Sequence, residues 1–245
     1  MKKAWYLGYS ADDIGDRAIL IGDPDRVERI AGLLDQPRFL PVSRGLKSVT
    51  GGFAGKSLTV AAFGMGAPIA TIVLHELADL GISRFLRIGT AMYFPPARGG
   101  DFIVSTSAAG FDGTSPAYLD GGAPYPADAA LVEALNQAAA AAGQSVRKGI
   151  YATYDAFYRD MFGIDDAGRE RASANRELLK EMGVLAVDME TSGLLAAAGA
   201  LDVACATLCL GTVDALTQEK LEPGALARGE KQLFEIALSG LCALN

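Results

Sequence analysis

The 245-residue sequence holds one histidine, His75, one tryptophan and three cysteines. With a single imidazole, any Ser-His-Asp or Cys-His mechanism would have to run through His75. That residue lies within the helical pattern 72-IVLHELADL-80, reads as structural, and is assigned no role. Cys205, Cys209 and Cys242 all sit in apolar contexts, and no further cysteine or histidine stands near the first two to complete a zinc site. They read as reduced core thiols, so no metal is expected and a cytoplasmic location is the default. There is no basic run, and the net charge is −7. That argues against nucleic acid and acidic membrane surfaces as partners, though not against a small anionic substrate held in a local cationic pocket. No segment is apolar for the length of a membrane span, and the opening MKKAWYLGYS lacks a long apolar core.

Half of the residues are hydrophobic, which suits one large α/β domain spanning residues 1–245. Short apolar runs alternate with helical patterns. Strands are expected at residues 18–21, 57–63, 84–90, 101–106, 149–153, 184–188 and 204–213. Helices are expected at 24–34, from 69 with Ile69, Ile72, Val73, Leu77 and Leu80 on one face, at 127–142, near 171–183, after Glu190, and at 225–241. Residues 110–126 are rich in Gly, Pro, Asp and Tyr and read as a long surface loop. This alternation implies a largely parallel sheet, whose ligands sit at the carboxyl ends of its strands.

Five strand ends carry glycine or polar residues: 22-GDPDR-26, 64-GMG-66, 87-RIGT-90, 188-DME-190 and 212-TVD-214. In the first, Asp23 suits a helix N-cap and Pro24 the first helical position. Arg26 does not fit that account, because a positive charge in the first turn opposes the helix dipole; an anion there would reverse the sign. Arg87, inside the apolar run 84-RFLRIGT-90, must find a partner if buried: either a carboxylate or a bound anion. Glu190 begins a helix, where the dipole favours an acid, and its carboxylate can also accept two hydrogen bonds from a vicinal diol. Asp214 is either a turn aspartate or, if burial raises its pKa, a general acid.

GDPDRV, GMGAP, RFLRIGT and VDMET, in this order and spacing, resemble the nucleoside phosphorylase family, which includes uridine phosphorylases and hexameric purine nucleoside phosphorylases. The similarity runs from about residue 5 to about residue 240. It implies a single-domain α/β fold with a central mixed, largely parallel twisted sheet distorted toward a barrel and flanked by helices. It also implies phosphorolysis of a nucleoside to free base and ribose 1-phosphate, with inorganic phosphate as co-substrate and no organic cofactor. By motif, Gly22, Arg26, Arg87 and Thr90 resemble the phosphate site. Arg44, in 42-VSRG-45, resembles an arginine lent by a neighbouring subunit. Met189 and Glu190 resemble the ribose pair, Tyr6 falls where relatives lend a histidine to the ribose, and Phe157 resembles the aromatic beside the base. The shared sites imply a homo-oligomer, a dimer of sites and commonly a hexamer.

The base is decided where the sequence departs from its relatives. A straight count puts Met161 and Gly163 where uridine phosphorylases carry a Gln and an Arg, with Arg159 as a possible substitute. Asp214 aligns with the aspartate that protonates a purine. A purine nucleoside is therefore the leading expectation, with Asp214 and Arg87 as catalytic groups. Uridine phosphorolysis, a hydrolytic nucleosidase and a non-catalytic nucleoside-binding protein are the alternatives; an oxidoreductase is disfavoured because 64-GMG-66 lacks the full dinucleotide glycine pattern. Gly45 replaces a glutamate of a monovalent-cation site, so no such site is expected. In 91-AMYFPPARGG-100, Met92, Tyr93 and Phe94 are bulky enough to reshape or block the base pocket.

Overall fold

The computed structural model describes residues 2–119 and 124–244. The chain builds outward from β1 (Ala18–Ile21), a strand buried along its whole length. Continuous apolar runs of this kind suit a parallel strand covered on both faces. β1 lies parallel to β4 (Lys56–Ala62) on one side and to β5 (Arg84–Tyr93) on the other. From β4 the sheet continues antiparallel through β3 (Ser48–Phe53) to β2 (Asp35–Phe39) at the edge.

On the other side of β5 the sheet closes on itself. β5 pairs parallel with β10 (Ala204–Asp214), which pairs with β6 (Phe102–Phe111). β6 pairs with β8 (Val146–Tyr154), and β8 with β9 (Val184–Asp188). β9 then returns to β5 through Met92↔Val187 and Tyr93↔Ala186. β5 is long enough to pair with β1 through residues 85–88 and with β9 through residues 92–93. The chain does not turn after Thr90; it stays extended to Tyr93, and that extra length closes the barrel. The sheet is mixed and not largely parallel as expected: β1 with its two neighbours, β5–β10, β6–β8 and β8–β9 are parallel, whereas β10–β6, the closing pair β5–β9 and the outer pairs β2–β3 and β3–β4 are antiparallel.

Helices cover both faces. α1 (Asp25–Ala31), α4 (Ala129–Ala141) and α7 (Pro223–Cys242) pack on the side reached by Ile19 and Ile21. α2 (Ala67–Asp79) and α6 (Thr191–Ala200) pack on the side reached by Leu20. α2 buries Ala67, Ala70, Thr71, Leu74 and Leu77 along one stripe, with Val73 beside it, and leaves Ile69 and Ile72 only half-buried. α6 buries every residue from Thr191 to Ala198, which explains its lack of a polar stripe. Arg17, itself buried, donates to the carbonyls of Leu241 (2.9 Å) and Leu244 (2.7 Å), tying the end of α7 to the start of β1.

The expected loop over residues 110–126 contains the end of β6, a short helix and a short strand. Asp112 Oδ1 accepts the N–H groups of Thr114 (2.8 Å) and Ser115 (2.7 Å), which starts α3 (Ser115–Tyr118). β7 (Tyr125–Pro126) then pairs with β6. Residues 120–123 of that stretch lie outside the described residues. α5 (Asp166–Glu181) begins five residues earlier than its apolar pattern suggests, because Asp165 caps it by accepting the Gly168 N–H at 2.6 Å.

Burial pushes the Tyr9 hydroxyl, the Tyr154 hydroxyl and the Cys205 thiol each up to about 12. The folded chain thus keeps protons that the unfolded chain releases from about pH 8.5 upward, so stability is complete below that pH and falls as pH rises toward 12. Thermal midpoints measured from pH 7 to pH 11 are expected to decline progressively above pH 9; a flat profile would contradict the burial of these groups.

Candidate active site

The carboxyl ends of β1, β4, β5, β9 and β10 surround a cavity of about 530 Å3. This lies within the usual range for small-molecule sites. Its first wall is the turn after β1. Gly22 packs against the turn after β4 so closely that a Cβ there would lie 2.8 Å from the Gly64 carbonyl oxygen. Asp23 Oδ1 accepts the Asp25 N–H at 2.9 Å and opens α1, with Pro24 at its N-cap. Arg26 lines the cavity and has a protein partner as well. Its Nε (2.9 Å) and Nη2 (2.7 Å) both bond to Glu230 Oε1, from the buried face of α7.

The second wall is β5. Arg87 sits between Leu20 of β1 and Thr207 of β10 in the register, and its side chain is buried. Its Nη2 donates to Glu190 Oε2, and its Nη1 lies 2.8 Å from Cys209 Sγ and 3.1 Å from Asp188 Oδ2. Nε is buried with no hydrogen-bond partner. Burial opposes the guanidinium charge, yet the carboxylates of Asp188 and Glu190 overcome that and lift its pKa well above the ordinary value. Burial also raises the Cys209 thiol, so the sulfur stays protonated and the two carboxylates supply the counter-charge. Arg87 is therefore cationic at every working pH.

The third wall is the β9–α6 junction. Asp188 caps α6, accepting the Thr191 N–H at 3.1 Å and the Glu190 N–H at 3.3 Å, and also the Thr153 hydroxyl at 2.9 Å. That frees Glu190 from the capping role its position suggests. Its Oε1 instead accepts the N–H of Gly66 at 2.8 Å, a residue whose φ of +102° requires glycine.

The cavity brings together Gly22, Arg26, Arg87, Thr90, Phe157, Met189 and Glu190. It does not include Arg44, Tyr6 or Asp214. Arg44 stacks on the Tyr6 ring at 4.9 Å, and the Tyr6 backbone is held by Glu76. Asp214 follows a register shift in β10 that sends Thr212 and Val213 to the cavity. Its Oδ1 accepts the N–H groups of Leu216 (2.8 Å) and Thr217 (3.0 Å), so it caps a turn and does not line the cleft.

The segment after Phe157 also differs from expectation. A π-helical turn, Tyr158–Phe162, buries Met161 fully and points Phe162 into the cavity. Arg159 is exposed and pairs with Asp165 at 3.0 Å, so it takes no part in the cleft. Of the bulky trio, Met92 lines the cleft, Phe94 is buried in the barrel core, and Tyr93 packs against Gly99 and Gly211. Met92 alone of the three shapes the pocket, and it does not fill it. Among the described residues no three His, Cys, Asp or Glu side chains converge as metal ligands would.

Residues 16–237 match the family model for the phosphorylase superfamily. The chain belongs to the phosphorylase superfamily. It is 36% identical over 197 residues to the uridine phosphorylase of Salmonella typhimurium, covering 78% of each chain. It is 31% identical over 231 residues to the uridine phosphorylase of Haemophilus influenzae, covering 93% of this chain and 92% of that one. A guanosine phosphorylase of Halorubrum lacusprofundi is 32% identical over 215 residues, covering 87% and 84%. Like these relatives, this superfamily member is an enzyme of the pentosyltransferase class.

Three residues at or beside the cleft have contacts that sequence reasoning did not assign: Asp188, Cys209 and Glu230. Asp188 stands three residues before Thr191, a capping spacing that was readable. Glu230 lies on the apolar stripe Leu226, Leu233, Phe234, Ala237, and an acid on such a face needs a buried partner. Cys209 carried no signal. Asp188→Ala removes both a counter-ion of Arg87 and the cap of α6, and is expected to lower the unfolding free energy by about 3–5 kcal/mol in urea titrations. A loss below about 1 kcal/mol would show that Glu190 alone neutralises Arg87.

Proposed function

We propose that this enzyme cleaves the N-glycosidic bond of a nucleoside with inorganic phosphate, and that uridine is its substrate. The observation that carries the reaction is the placement of Arg26 and Arg87 beside Glu190 in one cleft at the strand ends. Phosphate would bind Arg26 and Arg87, with Thr90 and the Gly22 turn alongside. Glu190 would accept from the ribose hydroxyls, with Met189 against the sugar and Phe157 and Phe162 against the base. The C1′–N bond breaks with its electron pair going to the base, leaving positive charge on the sugar ring. The bound hydrogen phosphate stabilises that charge and then forms the C1′–O bond, giving ribose 1-phosphate, and the proton it gives up balances the one the departing base takes up from solvent. Holding both partners converts the encounter into an oriented, effectively unimolecular step. No organic cofactor enters this scheme.

The expected purine preference rested on Asp214, which does not line the cleft. Relatives named uridine phosphorylase, at 36% and 31% identity, support the pyrimidine reading instead. The apolar lining residues Met92, Phe157, Phe162, Val187 and Val213 would meet the base and select it by shape and stacking. Arg44 and Tyr6 lie together, away from the cleft of their own chain. We propose that they complete the site of a second copy in a homo-oligomer, up to a hexamer. Three buried free thiols fit a reducing, cytosolic location.

Base release is expected from uridine only with phosphate, and faster than from inosine, guanosine or adenosine. Equal release without phosphate would overturn phosphorolysis; faster release from a purine nucleoside would overturn the base assignment. Arg44→Ala is expected to raise the phosphate KM at least about tenfold, the size of one lost charge-assisted contact. Light scattering that finds a monomer with full activity would remove Arg44 and Tyr6 from the site.

A further inference from the structure

We propose that Glu230, on the C-terminal helix, is a positioning residue for the anion site, acting through Arg26. This rests on the phosphate-binding role of Arg26 given above. Arg26 projects from the first turn of a seven-residue helix, α1, and a free arginine there would sample many rotamers. Glu230 removes that freedom. Its Oε1 takes both Nε and Nη2 of Arg26, at 2.9 and 2.7 Å, and leaves Nη1 out of the pair. Its Oε2 is held in turn by Arg29 Nη1 at 2.7 Å, and the Arg29 guanidinium rests 5.0 Å above the Phe234 ring.

The carboxylate is therefore fixed from both sides. Its side chain is only 9% exposed, between arginine side chains 13% and 44% exposed. Helix α7 thus reaches across to set the direction of a cation at the mouth of β1. Asp23 Oδ2 also lies 3.8 Å from Arg26 Nε, so two carboxylates face the two guanidiniums, and both hold Arg26 by its Nε edge, which leaves Nη1 outside these contacts and turned to an incoming anion. Pre-organising the guanidinium in this way reduces the ordering cost of binding phosphate.

Three substitutions separate position from charge. Glu230→Ala removes the grip, and the phosphate KM is expected to rise about tenfold, with nucleoside KM and kcat at saturating phosphate within about twofold of the parent. Glu230→Gln keeps an oxygen acceptor and drops the negative charge, and the phosphate KM is expected at or below the parent value. Glu230→Asp keeps the charge but withdraws it by one methylene; a phosphate KM raised at least about fivefold is expected, and it carries the test should the alanine variant not fold. Calorimetry with inorganic phosphate on the full chain checks binding directly. If the parent binds phosphate and needs it for turnover, yet Glu230→Ala or Glu230→Asp leaves the phosphate KM unchanged, this inference alone falls. The same holds if glutamine raises phosphate and nucleoside KM together. If the parent neither binds nor needs phosphate, the inference and the proposed reaction both fall.

Discussion

The buried guanidinium of Arg87 is the constraint on which the rest of the site depends. A cation at 5% exposure on a central strand is tolerable only with counter-charge in contact. That counter-charge comes from Asp188 and Glu190, at the junction of β9 and α6, about a hundred residues further along the chain. The closure of the barrel delivers it. β5 leaves β1, runs on to Tyr93 and pairs with β9, which sets the β9–α6 junction over Arg87. The site and the closure of the sheet are consequences of the same geometry.

Charge is divided between two roles. Asp188 serves the fold: it caps α6, anchors Thr153 and neutralises Arg87. Glu190 is held by only one N–H and one guanidinium, so its carboxylate keeps acceptor capacity toward the cavity. A similar division occurs at the other arginine, where Glu230 ties down one edge of Arg26. Away from these charges the wall turns apolar, through Met92, Val187, Val213 and the two phenylalanines.

Much of the fold was legible. Residues 18–21 match β1, and the strands at 57–63, 184–188 and 204–213 fall within one or two residues of β4, β9 and β10. These segments are apolar because they are covered on both faces, so composition reports them. β2 was not legible. All five of its residues are exposed, Pro37 interrupts it and Gln36 has a φ of +48°, so only pairing with β3 makes it a strand. The extension of β5 past Thr90 was also hidden, because it depends on partners from β9 and β10.

The sequence by itself determined the layered α/β architecture and pointed to the strand ends, where Gly22, Arg26, Arg87, Thr90, Phe157, Met189 and Glu190 line one cavity. Short-range apolar period and local turn chemistry encode those features. Only the tertiary structure decided that Asp214 caps a turn, that Phe162 and not Arg159 faces the cleft, and that Arg26 and Arg87 are held by Glu230 and Asp188. Each of those outcomes turns on which way a side chain points after a register shift, a π-helical turn or a contact 204 residues apart. Side-chain direction at such places is set by long-range packing and by the need to pair buried charge, and neither leaves a local pattern in the chain.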